Sequence, residues 1–151
     1  MKNTVNIISL DDYEDKRTGK QKDKYNDHAG KHEMAVKLKA REELMVKRGI
    51  NHYDGKIRFV TSELRDRKEA NESFKMIWVA FTQAGDFIMN YGDIRDLKGI
   101  FLSYVDLLEK YFTEDFISPQ RDEAFEKIKV RTFDLLATWN QAMDDVEGEV
   151  D

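Results

Sequence analysis

The chain has 151 residues, which is long enough for one domain with a sizeable core. It contains no cysteine, which excludes disulfides, thiol catalysis and zinc–thiolate sites. Hydrophobic residues make up 40 % and charged residues 36 %, so we expect an ordered part and a solvated part. The start of the sequence lacks the features of a secretory signal, and no apolar run approaches a membrane span of roughly twenty residues. We therefore expect a soluble, cytoplasmic protein.

Charge is distributed unevenly along the chain, although the formal net charge is only −5. Residues 16–49 carry eleven Lys or Arg against five acidic residues, whereas residues 71–151 carry eight against seventeen. Such segregation indicates either contact with a polyanion or the folding of a basic segment onto an acidic body. That body could belong to the same chain or to a second copy.

Residues 1–28 are predicted to be a flexible polar arm. Its second part, residues 11–28, contains two tyrosines and no aliphatic residue, so it cannot bury enough surface to offset the entropy of ordering. Before it lies a short apolar patch formed by Val5, Ile7, Ile8 and Leu10. This patch could be an edge strand, a docking motif or a cap on the protein's own core. A helical domain over residues 29–146 and an acidic tail over residues 147–151 complete the predicted organisation.

The next segment, residues 31–48, is predicted to be a basic helix. At 100° per residue its apolar side chains form one narrow stripe, and three basic side chains lie along the edge of that stripe. The remaining cations point elsewhere and acidic residues share the surface, which is unlike a helix that reads DNA. A narrow apolar stripe with basic flanks is typical of docking on an acidic or apolar groove of a protein. The predicted partner-binding residues are Met34, Lys37, Leu38, Arg41, Met45 and Arg48.

From residue 54 onward the periodicity predicts further helices. Asp54 is the predicted N-cap of the first one, which contains residues 56–60, a stretch that could alternatively be a strand. A second helix is predicted over residues 72–90, with Gly92 ending it. A third is predicted to open at Asp93, and Ser118 followed by Pro119 predicts the start of the last. Short connections favour an all-α, up-and-down bundle of about four to five helices.

Most aromatic residues of the predicted helices are assigned to the core. They could instead form a binding surface, but most of them fall on the apolar stripes, where core packing is the commoner role. This set comprises Trp78, Phe81, Phe87, Phe101, Tyr104, Phe133 and Trp139.

The sequence offers little that would support catalysis or metal binding. His28 and His32 are four residues apart, and Asp27, Glu33 and His52 are the nearby additional ligands. The order of residues is HxxxHE rather than the HExxH of metalloproteases, so we expect these histidines to be solvated. Phosphate-binding glycine loops and the GxSxG elbow are also missing. We predict no catalytic residue, no cofactor and no metal.

These observations lead to a non-enzymatic protein–protein interaction module, such as an adaptor, an assembly factor or an inhibitor. Its composition resembles that of accessory proteins encoded by phages and mobile elements. The alternative is a nucleic-acid accessory protein that uses the basic region 16–48, whose binding would fall steeply with salt. Mimicry of nucleic acid by the acidic half is a further alternative, although eight Lys or Arg dilute the charge there. A homo-oligomer is possible, and a membrane partner is not expected.

Overall fold

In the computed structural model, the described residues are 27–150, with side chains described from residue 31 to residue 148. The apolar patch at residues 5–10 and most of the predicted arm lie outside this range. The helices are α1 (Asp27–Arg48), α2 (Asp54–Arg67), α3 (Glu72–Tyr91), α4 (Leu97–Thr113) and α5 (Ser118–Val150), with a short 3-10 turn at Asn51–Tyr53. Residues 27–150 contain no strand, so the all-α prediction is confirmed, and residues 56–60 are helical.

The helices α3 and α4 form the centre of the bundle. Each of them packs against α2 on one side and against α5 on the other. Because short connections make consecutive helices antiparallel, α3 and α5 run parallel to each other. Two contacts agree with this: the rings of Phe74 and Phe125, both early in their helices, are 5.3 Å apart, and Arg95, just beyond α3, bonds Asp145 late in α5. A long seam therefore runs between α3 and α5.

The core follows the predicted apolar stripes, and one buried polar contact crosses it. The rings of Phe81 and Phe101 are 5.5 Å apart at the contact of α3 and α4. The hydroxyls of Tyr104 and Thr132 lie 2.7 Å apart, and the Thr132 hydroxyl donates to the carbonyl of Ile128. Tyr104 is therefore the donor of this pair, because the single threonine proton is already used. Burial raises the pKa of Tyr104 and keeps its hydroxyl protonated.

Two predicted helix starts are wrong. Asp54 is not an N-cap: Tyr53 holds that position without a side-chain bond, and Asp54 lies in the first turn of α2. The helix α4 begins at Leu97 rather than at Asp93, because Arg95 and Asp96 both have φ of +59°, a left-handed conformation that interrupts a helix. The Asp93 carboxylate still accepts a bond of 2.9 Å from the Lys98 amide, so it caps α4 from outside the helix.

Other helix ends agree with the sequence. The side chain of Asn71 caps α3 by accepting a bond of 2.8 Å from the Phe74 amide. Gly92, with φ of +90°, ends α3 as predicted. The helix α5 starts at Ser118 as predicted, but it continues through the acidic sequence to Val150.

Candidate docking surfaces

The predicted partner-binding side of α1 is turned toward the protein's own bundle. The C-terminal half of α1 packs against the bundle, since Met45 is 1 % exposed and Arg41 is 4 % exposed. Arg48 also engages the bundle, because its Nε donates to the Met89 carbonyl at 2.9 Å. Toward the N-terminus the same side is more open: Met34 and Leu38 are half-buried and Lys37 is exposed. The fold therefore keeps three of the six predicted residues for itself.

Arg41 joins α1 to α2 through a buried and incomplete ion pair. Its Nη1 lies 2.5 Å from Oδ1 of Asp54, and Oδ2 of Asp54 lies 3.4 Å from Nε of Arg58. Nε and Nη2 of Arg41 are buried without a hydrogen-bond partner. A buried guanidinium that is only partly satisfied depends strongly on its single carboxylate. The attachment of α1 therefore relies on Asp54.

Two basic side chains close the ends of α1 and α3. Lys98 Nζ donates to the carbonyl of Arg48 at 3.2 Å, and Arg48 in turn reaches the last turn of α3. Cations are favourable at helix C-termini because the carbonyl groups there carry partial negative charge. Gly49, with φ of +76°, makes the turn possible, and a Cβ at this position would lie 3.1 Å from Lys98 Nζ. The basic character at this end of α1 thus serves contacts within the chain.

An open apolar depression lies along the seam of α3 and α5. We call it the α3/α5 groove and define it by Ser73, Met76 and Ile77 of α3 with Val130, Thr132 and Phe133 of α5. Its volume is about 360 Å³. Three of its side chains are well exposed: Met76 at 40 %, Val130 at 60 % and Phe133 at 59 %. Large apolar side chains gathered at one exposed place are typical of binding surfaces.

The floor of the groove is fixed and its rim is charged. Ile77 and Thr132 are buried beneath it, and Thr132 is held by its bonds to Tyr104 and to the Ile128 carbonyl. At the rim stand Glu72, Glu126 and Lys129, with Lys129 Nζ 2.9 Å from a Glu126 carboxylate oxygen. An apolar centre with a polar rim is the usual anatomy of a protein docking site.

The groove was not predicted from the sequence. The prediction that Phe133 belongs to the core is wrong, since that ring is 59 % exposed. Val130 lies about 200° from the buried Ile128 on the helical wheel, so it is an apolar residue on the polar side of α5. Apolar side chains off the main stripe, at Met76 on one helix and Val130 and Phe133 on another, were the available signal.

A second depression of about 350 Å³ lies where α4 turns into α5. Its lining is polar to a larger extent and includes Lys110, Glu114 and Lys127. The guanidinium of Arg121 lies 5.1 Å from the centre of the Tyr111 ring and 5.8 Å from that of Phe116. The chain itself thus covers aromatic faces at this end of the bundle. The α3/α5 groove is the better candidate for receiving an apolar partner.

A cluster of three titratable groups, Tyr53, Lys56 and Asp106, ties the start of α2 to α4. The Tyr53 hydroxyl donates to Asp106 at 2.8 Å, and Lys56 Nζ donates to the other carboxylate oxygen at 2.9 Å. Partial burial acts to raise the pKa of Asp106, but these two hydrogen bonds together hold it below its ordinary value. The bond to Asp106 raises the pKa of Tyr53. The cluster is therefore a neutral phenol and an ammonium on an ionised carboxylate.

Neither His32 nor His52 belongs to a cluster of possible metal ligands among the described side chains. His32 and His52 are exposed, and the side chain of His28 lies outside the described part. Among the side chains that the structure describes, no group of three or more His, Asp or Glu residues could hold a metal ion.

No helix between residues 27 and 150 is long and apolar enough to cross a membrane. Comparison of the chain with protein-family models, with curated proteins and with solved structures found no match.

Proposed function

We propose that this protein is a non-enzymatic protein–protein interaction module and that its docking surface is the α3/α5 groove. The observation that carries the proposal is the exposure of Met76, Val130 and Phe133 around one depression with a fixed floor. A partner segment with two or three apolar side chains would bury this surface, which favours binding by about 25 cal/mol per Å². The rim residues Glu72, Glu126 and Lys129 would set orientation.

The exposed N-terminal half of α1 extends the proposal to a second contact. Met34 and Leu38 continue the line of residues that packs on the bundle, and Lys37 lies beside them. We propose these three residues as an additional contact of a partner that is acidic or apolar. Arg41, Met45 and Arg48 would contribute indirectly, because they hold α1 in place.

Photo-cross-linking in the cells that make the protein tests the groove. A benzoyl-phenylalanine is placed at position 133, where it replaces a related ring, and in a second variant at position 140. Asn140 is exposed on the same helix but lies outside the groove, so it is a matched control. We expect a discrete cross-linked protein at position 133 and a much weaker one at position 140.

A substitution completes the test. Phe133→Asp should abolish capture of that protein by the full-length chain, because the charge would have to be desolvated at the contact, and thermal unfolding should change little. Equal cross-linking at the two positions, or capture that survives Phe133→Asp, would show that the groove is not the docking surface.

A further inference from the structure

We propose that in the free protein the α3/α5 groove is occupied by residues 5–10 of the same chain. This inference rests on the proposed function, since it takes the groove to be a docking surface. It goes further in identifying the occupant as Val5, Ile7, Ile8 and Leu10, which precede α1 by a polar linker. A partner would then have to displace the protein's own segment.

The size of the groove favours a short segment over a second copy of the chain. The exposed parts of Met76, Val130 and Phe133 amount to no more than a few hundred Å², whereas each partner in a stable dimer buries about 800 Å². A volume of about 360 Å³ has room for a few aliphatic side chains. A segment with four such residues, spaced so that alternate ones share a side when extended, can supply two at once.

The length of chain before α1 allows the contact. Residues 11–26 separate Leu10 from the first residue of α1, and sixteen residues span up to about 55 Å when extended. The longest helix, α5, has 33 residues and is therefore about 50 Å long, so the extended linker is about as long as the longest helix of the bundle. A segment on a linker of this kind experiences an effective concentration of about 1 mM, which makes even a weak contact populated.

The charges that flank the segment and the charges at the rim of the groove both include the two signs. Lys2 precedes the apolar residues, and Asp11 and Asp12 follow them. The rim offers Glu72 and Glu126 to the lysine and Lys129 to the two aspartates. Lys129 already bonds Glu126, so an aspartate of the segment would share a lysine rather than find a new one. These surface pairs would fix the direction of the segment more than its affinity.

Disulfide trapping in the purified full-length chain tests the inference, and the natural absence of cysteine makes it clean. The variant Ile8→Cys/Val130→Cys is compared with Ile8→Cys/Asn140→Cys, in which the linker is the same and the second cysteine is exposed outside the groove. Under mild oxidation at low micromolar concentration, we expect an intramolecular disulfide to form at least about tenfold faster in the 8/130 pair. Non-reducing electrophoresis and peptide mass spectrometry measure the rates and the linkage.

A further substitution separates docking from random collision. Leu10 lies on the same side of an extended segment as position 8, so adding Leu10→Asp to the 8/130 pair should reduce its rate to that of the 8/140 pair. Equal rates in the two original pairs would overturn the inference, and so would disulfides that join two chains and increase with concentration, because they would assign the groove to a second copy.

An independent measurement avoids cysteine altogether. In the otherwise native chain, Val5→Asp/Ile7→Asp/Ile8→Asp should move the Met76 methyl resonance toward the position of a solvated methionine. An unchanged resonance would contradict the inference.

The two proposals fail in different ways. If the disulfide forms but position 133 captures no other protein in cells, the groove serves only the chain's own segment and the proposed function fails. If position 133 captures a partner but the disulfide forms no faster than in the control, the groove is open in the free protein and only this inference fails.

Discussion

The partner-facing side predicted for α1 and the α3/α5 groove are both apolar surfaces with charged edges, yet the fold uses them in opposite ways. On α1, the stripe around Met45 closes against the bundle and its basic edge bonds Asp54 and the end of α3. Along the α3/α5 seam, the helices of the bundle leave Met76, Val130 and Phe133 uncovered. The main apolar stripe of a helix therefore indicates packing within the bundle. Apolar residues outside that stripe indicate a surface that the bundle leaves open.

The largest expected effect is a difference in the free energy of unfolding between a substitution on α1 and one in the groove. Met45→Ala should lower the free energy of unfolding by about 2–5 kcal/mol, because it removes a fully buried side chain and leaves a cavity. Phe133→Ala should lower it by less than about 1 kcal/mol, since the helical bundle leaves most of that ring uncovered. Urea denaturation monitored by circular dichroism measures both. Similar losses for the two variants would show that the α1 stripe and the α3/α5 groove contribute equally to stability.

A somewhat smaller effect concerns the ion pair that holds α1. Asp54→Ala should cost about 2–3 kcal/mol, because it leaves the Arg41 guanidinium buried without its carboxylate. Arg41→Met should cost less than about 1 kcal/mol, since the apolar side chain fills a similar volume and Asp54 is still close to Arg58. The two unfolding free energies are compared at pH 7 under the same salt. A larger loss for Arg41→Met would mean that the ion pair itself stabilises the fold, and that the cost of Asp54→Ala does not come mainly from an unpaired buried charge.

The smallest expected effect concerns Asp106, which lies away from both surfaces and serves as a reference for them. Since the pKa of Asp106 is below its ordinary value in the folded chain, its contribution is present near neutral pH and is lost as pH falls below about 4. Asp106→Asn should remove this part of the acid dependence while lowering stability at pH 7 by less than about 1 kcal/mol, as for other half-exposed pairs. Unfolding curves from pH 7 to pH 2 test it, with Asp134→Asn as an exposed control.

The bundle could be predicted from sequence because helix formation leaves local signals. The heptad-like spacing through Phe101 and Tyr104 of α4 and the start signal at Ser118 depend only on near neighbours, and the structure agrees with them. The start of α4 was missed because Arg95 and Asp96 adopt left-handed backbone angles, which their residue types do not announce.

The candidate site was harder to predict because it depends on how two helices distant in sequence align. Met76 and Phe133 become neighbours only because α3 and α5 run parallel, an arrangement set by the packing of the whole bundle. Arg41 is the opposite example, a residue whose burial was not predicted. Its side chain looks like a surface cation in the sequence, and only the position of Asp54 explains its burial.

The incomplete bonding of Arg41 has a dynamic consequence. Because α1 is attached mainly at its C-terminal end, and partly through a charge that the interior satisfies poorly, we expect α1 to open more readily than α2 to α5. Backbone amides of α1 would then exchange with solvent deuterium through this local opening, long before those around Phe81 and Phe101. Each opening would briefly uncover Met45 and the carboxylate that Arg41 holds, so solvent would reach a part of the core that the closed form conceals.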